Sequence, residues 1–207
     1  MTADAPAAPQ RIGLLGGSFD PIHNAHLQLA ACARTELALD AVWLIPAGQP
    51  WQRDPLAASA LERWAMVNLA IAGLPGLRAC DIELQRQGPS YTIDTVRALR
   101  QSHPDAAFTF IVGADQLRNL PTWNGWQEIV AEVDLAAARR PGYDDQAPPE
   151  LLAALHARQH RLHRLSMAEI DLSATAVRER IAQGQSLDGL VPAAVAHYID
   201  QHRLYQH

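Results

Sequence analysis

The chain has 207 residues, of which 48% are hydrophobic, as expected for one globular domain with a sizeable core. Its formal net charge of −5 argues against a general nucleic-acid-binding protein, and no stretch is long and apolar enough to cross a membrane. The cysteines, Cys32 and Cys80, form no CxxC pair, and residues 1–10 lack the features of a secretory signal. We therefore expect a cytoplasmic protein with free thiols, a flexible tail at 1–10 and a single domain at 11–207.

The first predicted elements are a strand, a tight loop and a helix. Residues 12–15 form an apolar run of strand length, residues 16–26 read GGSFDPIHNAH, and periodic Leu and Ala follow. Glycines allow a ligand to approach the backbone closely, and the first turn of a helix presents unpaired N–H groups and a positive dipole end. The pair Gly16 and Gly17 therefore predicts a phosphate-binding loop.

Two histidines lie just beyond this glycine pair. If the helix begins near Pro21 or Ile22, His23 and His26 project from one face of its first turn, towards whatever the loop holds. A plain turn followed by surface histidines is the alternative for a glycine pair considered alone. The combination of glycines, histidines and helix start favours a functional site.

Strands and helices continue to alternate along the chain, which predicts a doubly wound parallel α/β sheet with its ligand crevice at the carboxyl ends of the strands. The further predicted strands lie at about 41–45, 108–112, 133–138 and 161–167, and one more is expected within residues 77–84. The further predicted helices lie at about 59–71, 91–103, 116–120, 126–133, 150–158, 173–181 and beyond Pro192.

Polar residues follow several of these strands, at the edge where the crevice is expected. Asp115 comes soon after strand 108–112 and could contact a ribose, cap the short helix that follows, or do both. Arg53 lies in the proline-containing loop after the second strand. From this position it could equally well bind a phosphate or be a solvent-exposed charge. Arg140 stands just after the fifth strand.

The region near residue 175 offers a second candidate phosphate site. Ser173 and Thr175 supply hydroxyls at a predicted helix N-terminus, and the guanidinium of Arg178 follows within two turns. Simple capping by Ser173 beside a surface arginine explains the same pattern equally well. Three histidines upstream lack a metal-ligand pattern and are interpreted as surface residues: His156, His160 and His163.

Residues 16–26 closely resemble the GGSFDPxHxGH signature of the nucleotidyltransferases related to class I aminoacyl-tRNA synthetases, with Ala25 in place of the family's glycine. Further segments narrow the resemblance to the bacterial nicotinate-nucleotide adenylyltransferases, over residues 11–204. They are SYTIDT at 90–95, GADQL at 113–117 followed by Trp123, RRPG at 139–142, and LSATAVR at 172–178. Ala174 replaces the second serine of the family's ISSTxxR, and PWQR at 50–53 replaces its PPHK or PPHR run.

The resemblance implies a Rossmann-like enzyme that transfers AMP from ATP to nicotinate mononucleotide, giving nicotinate adenine dinucleotide and pyrophosphate. It implies that the ATP phosphates meet the loop and the histidines: Gly16, Gly17, Ser18, His23 and His26. It implies that the leaving pyrophosphate is held by Ser173, Thr175 and Arg178, and that Gly113 and Asp115 meet the adenosine ribose. Mg²⁺ is expected to travel on the triphosphate, with no metal ligand from the protein.

For the second substrate, the resemblance implies that Thr92 and Trp123 hold the nicotinate ring and that Arg53 and Arg140 bind its phosphate. The protein's expected partners are then ATP and nicotinate mononucleotide, and neither a nucleic acid nor a membrane is expected. Formation of a homo-oligomer is neither predicted nor excluded. Three alternatives remain: a pantetheine-phosphate adenylyltransferase, an NAD-binding dehydrogenase and a non-catalytic nucleotide-binding domain. The first lacks the YTxDT and GADxL features, and the second would need a GxGxxG motif, which this sequence does not contain.

Overall fold

The computed structural model describes residues 9–49, 56–138, 147–167 and 172–206. Within these ranges, strands and helices alternate as the sequence predicted. The strands are β1 (Arg11–Gly17), β2 (Ala41–Pro46), β3 (Leu77–Ala79), β4 (Ala107–Val112), β5 (Asp134–Ala138) and β6 (Leu162–Leu165). The helices are α1 (Asn24–Glu36), α2 (Ala60–Ile71), α3 (Thr92–Ser102), α4 (Ala114–Asn119), α5 (Trp126–Glu132), α6 (Pro149–Ala157), α7 (Ala174–Ala182) and α8 (Ala193–Gln201).

The strands form one six-stranded sheet in the order β3-β2-β1-β4-β5-β6, and every pairing is parallel. The chain winds outward from β1 to β3 and then returns to place β4 on the other side of β1. Strand order therefore reverses between β1 and β4, and ligands of such sheets bind in the crevice at this reversal. The predicted doubly wound fold is confirmed.

Alternating side chains of the central strands divide the core into two layers, one on each face of the sheet. Ile12 and Leu14 of β1 belong to the layer covered by α3, α5 and α6, whereas Leu15 belongs to the layer covered by α1, α2, α7 and α8. Neighbouring residues of a strand point to opposite faces, so a strand covered on both sides must be apolar throughout. This explains the continuous apolar run 12–15.

One element differs from the prediction. Helix α1 begins at Asn24 with His23 as its N-cap, and Pro21 and Ile22 are buried in the preceding loop. Strand β3, Leu77–Ala79, lies within the predicted range 77–84, and the chain turns after Cys80, where the N–H groups of Leu84 and Gln85 bond to the carbonyl of Asp81.

The interpretation of the later histidines as surface residues is wrong for two of them. His160 Nδ1 lies 2.9 Å from Asp134 Oδ1, and His163 Nε2 lies 3.3 Å from Asp134 Oδ2. The backbone N–H of Arg161 also donates to this carboxylate, at 3.0 Å. These bonds join the starts of β5 and β6, at the end of the sheet opposite to the crevice, whereas His156 is exposed as expected.

Two predictions concern properties of the whole chain. Cys32 and Cys80 are both free, as expected. None of the helices in the described part of the chain is long and apolar enough to cross a membrane.

Candidate functional site

An open cleft of about 1100 Å³ lies over the carboxyl ends of β1, β2 and β4. The N-termini of α1, α3, α4 and α7 also contribute to its walls, so several helix dipoles have their positive ends there. Every site residue predicted from the sequence and described by the structure lines this one cleft. They are Gly16, Gly17, Ser18, His23, His26, Thr92, Gly113, Asp115, Trp123, Ser173, Thr175 and Arg178.

The loop after β1 is tightly built. Phe19 has a φ of 47°, which is uncommon for a residue with a side chain, and its buried ring packs edge-on against His26 with centroids 5.0 Å apart. A Cβ on Gly17 would lie 3.0 Å from this ring, so glycine gives Phe19 room. Arg63, fully buried on α2, supports the loop from below by donating to the carbonyl of Ser18 at 2.8 Å.

The two motif histidines are in direct contact. The backbone N–H of His23 donates to His26 Nδ1 at 3.2 Å, and the rings stack with centroids 3.6 Å apart. Because Nδ1 of His26 accepts this bond, the hydrogen of the neutral ring is on Nε2. His26 can therefore offer Nε2–H to a ligand in the cleft.

His23 is 5% exposed, and burial lowers its pKa from 6.5 to about 4. Its imidazole is therefore neutral at pH 7. Among the described residues, its buried Nδ1 has no hydrogen-bond partner. A buried polar atom without a partner carries a desolvation cost, which a ligand in the cleft could remove.

The N-terminus of α7 lies across the cleft from this pair. Ser173 Oγ accepts the N–H of Ala176 at 3.1 Å, so the predicted cap is confirmed. Arg178 donates to Thr175 Oγ1 at 3.2 Å and to the carbonyl of Asp20 at 2.7 Å. The guanidinium thus joins α7 to the loop after β1, and its role in phosphate binding stays a prediction.

The N-terminus of α4 carries Gly113 and Asp115. Gly113 is the N-cap, and Asp115 lies within the first turn, so the capping role considered for Asp115 is wrong. Asp115 is exposed, and a Cβ on Gly113 would lie only 2.8 Å from its Oδ1. Glycine at 113 therefore leaves this carboxylate unobstructed at the mouth of the cleft.

Thr92 and Trp123 also line the cleft. Thr92 is the first residue of α3, and the ring of Trp123 packs edge-on against Phe110 with centroids 6.0 Å apart. The indole Nε1 of Trp123 is buried and has no partner among the described residues. Asp94, in the first turn of α3, pairs with Arg97 and does not line the cleft.

Sequence reasoning missed three buried charged residues around the cleft: Asp20, Arg63 and Glu83. Glu83 accepts from Thr95 Oγ1 at 2.8 Å. Burial raises the pKa of Glu83, against hydrogen bonds from Thr95, Ser90 and the backbone of Gly48 that lower it. Asp20 could have been found because it lies within GGSFDP, whereas Arg63 and Glu83 carry no local signal.

Two predicted residues, Arg53 and Arg140, lie outside the described residues. Their proposed contact with the mononucleotide phosphate therefore stays a prediction.

Comparison with known proteins identifies the family. Residues 14–180 match the cytidylyltransferase-like family. The chain is 53% identical to the probable nicotinate-nucleotide adenylyltransferase of Bordetella avium, covering 95% of this chain and 98% of that protein. It is 54% identical to the Bordetella petrii protein of the same name, covering 95% and 100%. The chain belongs to the nicotinate-nucleotide adenylyltransferase family.

The fold agrees with solved structures. The Plasmodium falciparum nicotinic acid mononucleotide adenylyltransferase in complex with NaAD superposes with a TM-score of 0.77 at 17% identity, over 95% of this chain and 97% of that chain. A putative nicotinate-nucleotide adenylyltransferase from Vibrio parahaemolyticus gives 0.67 at 16% identity, over 95% and 96%. This chain thus has the same fold as these two solved structures.

Proposed function

We propose that this adenylyltransferase transfers AMP from ATP to nicotinate mononucleotide, forming nicotinate adenine dinucleotide and pyrophosphate. The observation that carries the proposal is that one cleft contains the glycine loop, the histidine pair, the α7 arginine and the Thr92–Trp123 wall. These groups provide places for a triphosphate, a ribose and an aromatic ring around one point of the sheet.

In this reaction an oxygen of the mononucleotide phosphate attacks the α-phosphorus of ATP. The new P–O bond forms as the bond from the α-phosphorus to the bridging oxygen breaks, and that electron pair leaves with pyrophosphate. The attacking phosphate is already ionised at neutral pH, so the enzyme needs no general base. Its work is to align the substrates and stabilise the developing negative charge.

The histidines are suited to act as hydrogen-bond donors. His26 offers Nε2–H because its Nδ1 accepts the N–H of His23. His23 is neutral because burial lowers its pKa to about 4. We propose that both donate to the ATP phosphates, beside Ser18 and the backbone of Gly16 and Gly17.

Ser173, Thr175 and Arg178 would hold the β- and γ-phosphates at the N-terminus of α7. The bonds from Arg178 to Asp20 and Thr175 fix the plane of its guanidinium and leave further N–H donors for phosphate oxygens. Gly113 and Asp115 would meet the adenosine ribose, since the exposed carboxylate lies at the end of β4.

At the other end of the cleft, Thr92 would bind the nicotinate carboxylate and Trp123 would stack on the ring. The start of α3 favours an anion through its free N–H groups and its dipole. Glu83 lines the same region, but its carboxylate is engaged by Thr95, Ser90 and Gly48. Arg53 and Arg140 are proposed for the mononucleotide phosphate on sequence resemblance alone.

Magnesium enters this proposal as part of the substrate Mg·ATP, ligated by phosphate oxygens and water. In the described ranges, no group of three His, Cys, Asp or Glu side chains could hold a metal ion. A cytoplasmic location is likewise a proposal, which the two free cysteines support.

The test is product formation with purified protein and Mg·ATP. Nicotinate mononucleotide should give pyrophosphate and a dinucleotide of the expected mass, whereas 4′-phosphopantetheine or ATP alone should give neither. Turnover with 4′-phosphopantetheine instead would assign the protein to the rival transferase. ATP binding without any turnover would favour a non-catalytic nucleotide-binding domain.

A further inference from the structure

The hydroxyl of Tyr205, almost at the end of the chain, donates to Asp20 Oδ1 at 2.7 Å. Asp20 is part of the GGSFDP segment, so this bond joins two positions that are 185 residues apart. Tyr205 lies outside residues 14–180, the part that matches the cytidylyltransferase-like family. The C-terminal turn therefore reaches the nucleotide-binding loop from outside the matched domain.

Asp20 connects this turn to the cleft. It is 2% exposed, and its two carboxylate oxygens accept the backbone N–H groups of Ala57 at 2.8 Å and Ala58 at 3.0 Å. Its backbone carbonyl accepts from Arg178 at 2.7 Å. A shift of Asp20 would therefore move both the segment that leads into α2 and the arginine proposed to hold pyrophosphate.

The carboxylate of Asp20 is buried, and the hydroxyl of Tyr205 is one of its hydrogen-bond donors. A buried carboxylate is stable only when its oxygens are supplied with donors or a cation. Burial, followed by the hydrogen bond to Asp20, raises the pKa of the Tyr205 phenol, so the hydroxyl stays a donor at all working pH values.

The backbone of the C-terminal turn is shaped to make this contact. Tyr205 has a φ of 63° and Arg203 a φ of 50°, both in the left-handed region that residues with side chains rarely occupy. The N–H of Leu204 donates to the carbonyl of Ile199 at 3.0 Å, which turns the chain back at the end of α8. Such conformations persist where surrounding contacts hold them.

The start of α1 is held by the same C-terminal region. Asn24 donates through its backbone N–H to the carbonyl of Leu190 and through Nδ2 to the carbonyl of Gly189, both at 2.8 Å. The C-terminal region thus supports the loop and the first helix of the site at two separate points.

We propose that Tyr205 is a positioning residue for the ATP side of the active site, acting through Asp20 on Arg178 and on the segment at 57–58. The kinetic test of this inference rests on the proposed function. Removing the hydroxyl leaves Oδ1 of the buried Asp20 carboxylate with the N–H of Ala58 as its one remaining hydrogen-bond donor among the described residues. Asp20 then shifts, and the carbonyl that orients Arg178 shifts with it.

The test compares Tyr205→Phe with Tyr198→Phe, a control on α8 whose ring lies tilted against His202 with centroids 4.1 Å apart. In Tyr205→Phe, kcat/KM for Mg·ATP should fall about tenfold, the size expected for one hydrogen bond to a charged group. KM for nicotinate mononucleotide should stay within about twofold, since Thr92 and Trp123 do not contact this network. The control should keep both parameters. Unchanged ATP kinetics in folded Tyr205→Phe, or equal losses for both substrates, would overturn the proposal.

A double-mutant cycle separates a direct effect from general destabilisation. If Tyr205 acts through the carboxylate, Tyr205→Phe should cost little further in an Asp20→Asn background. Fully additive losses in kcat/KM for ATP would contradict the proposal. If Asp20→Asn does not fold, the Tyr205→Phe comparison still decides.

The proposed function is tested separately by dinucleotide formation in the wild-type enzyme. If the wild type forms no dinucleotide, calorimetric titration with Mg·ATP takes the place of kinetics. The dissociation constant should then be about tenfold weaker for Tyr205→Phe and unchanged for Tyr198→Phe. Equal dissociation constants for the two variants would reject the positioning role.

Discussion

The imidazoles of His23 and His26 stack with their centroids 3.6 Å apart, and the backbone N–H of His23 holds Nδ1 of His26. This contact determines which nitrogen of His26 carries its hydrogen. Two close imidazoles would repel each other if both were charged, and burial keeps His23 neutral by lowering its pKa to about 4. His23 is therefore a neutral imidazole at the wall of the cleft.

His26→Ala should lower kcat by about 10²-fold or more, because the transition state loses one donor to developing charge. His23→Ala should behave similarly. Steady-state kinetics with both substrates measure the effect, and circular dichroism checks the fold. His156→Ala, at an exposed position of α6, is the control. A kcat near the wild-type value in folded His26→Ala would refute the assignment.

The buried neutral state of His23 should make stability depend on pH. The ordinary pKa of histidine is 6.5, whereas that of His23 in the folded protein is about 4. Between pH 4 and 6.5, this residue therefore binds more protons in the unfolded chain than in the folded one. This contribution to stability is complete above about pH 6.5 and is lost as the pH falls towards 4. Lowering the pH from 7.5 to 5.0 should cost the wild type about 2 kcal/mol through this group.

Urea unfolding of the wild type and of His23→Gln at these two pH values checks the prediction. Gln cannot titrate, so the variant should lack this part of the loss. Equal pH dependence of the unfolding free energy in both proteins would show that His23 does not have a depressed pKa.

Arg178→Lys should reduce kcat/KM for ATP by about tenfold or more, although the charge is retained. A lysine cannot reach the carbonyl of Asp20 and the hydroxyl of Thr175 with a planar fork while also binding phosphate. Arg180→Lys is the matched control, because Arg180 is exposed and donates to the carbonyl of Ser186. ATP kinetics that are unaltered in Arg178→Lys would leave the residue a purely structural role.

The enzyme should prefer nicotinate mononucleotide over the amide mononucleotide by about 10²-fold or more in kcat/KM. The two substrates differ only in carboxylate against carboxamide, and the start of α3 offers donors and a positive dipole. The nearby acid Asp94 pairs with Arg97 and does not line the cleft. The measurement is kcat/KM for each mononucleotide at saturating Mg·ATP.

Two variants test which residues cause this preference. Thr92→Ala should reduce the ratio of kcat/KM values for the two mononucleotides, because the hydroxyl distinguishes the carboxylate from the amide. Trp123→Ala should weaken both substrates together, because stacking is nearly indifferent to the ring substituent. Equal values for both mononucleotides in the wild type would make this a dual-specificity enzyme.

The fold class and the position of the cleft could be predicted from the amino-acid sequence. Apolar runs alternating with helical segments require a parallel sheet covered on both faces, and the residues after β1 and β4 must then share one edge. The residues at 16–26 and 172–178 could be proposed as phosphate contacts from the sequence, because glycines, histidines and a capped helix start are local patterns. The limits of helices were less certain, as the late start of α1 shows.

The contacts that support the cleft are visible only in the folded chain. Asp20 meets Tyr205 across 185 residues, and Arg63 meets Ser18 across 45. Local sequence patterns cannot predict such pairs, because their residues come together only when the chain folds. The neutrality of His23 likewise depends on the folded chain, since its pKa is lowered by burial.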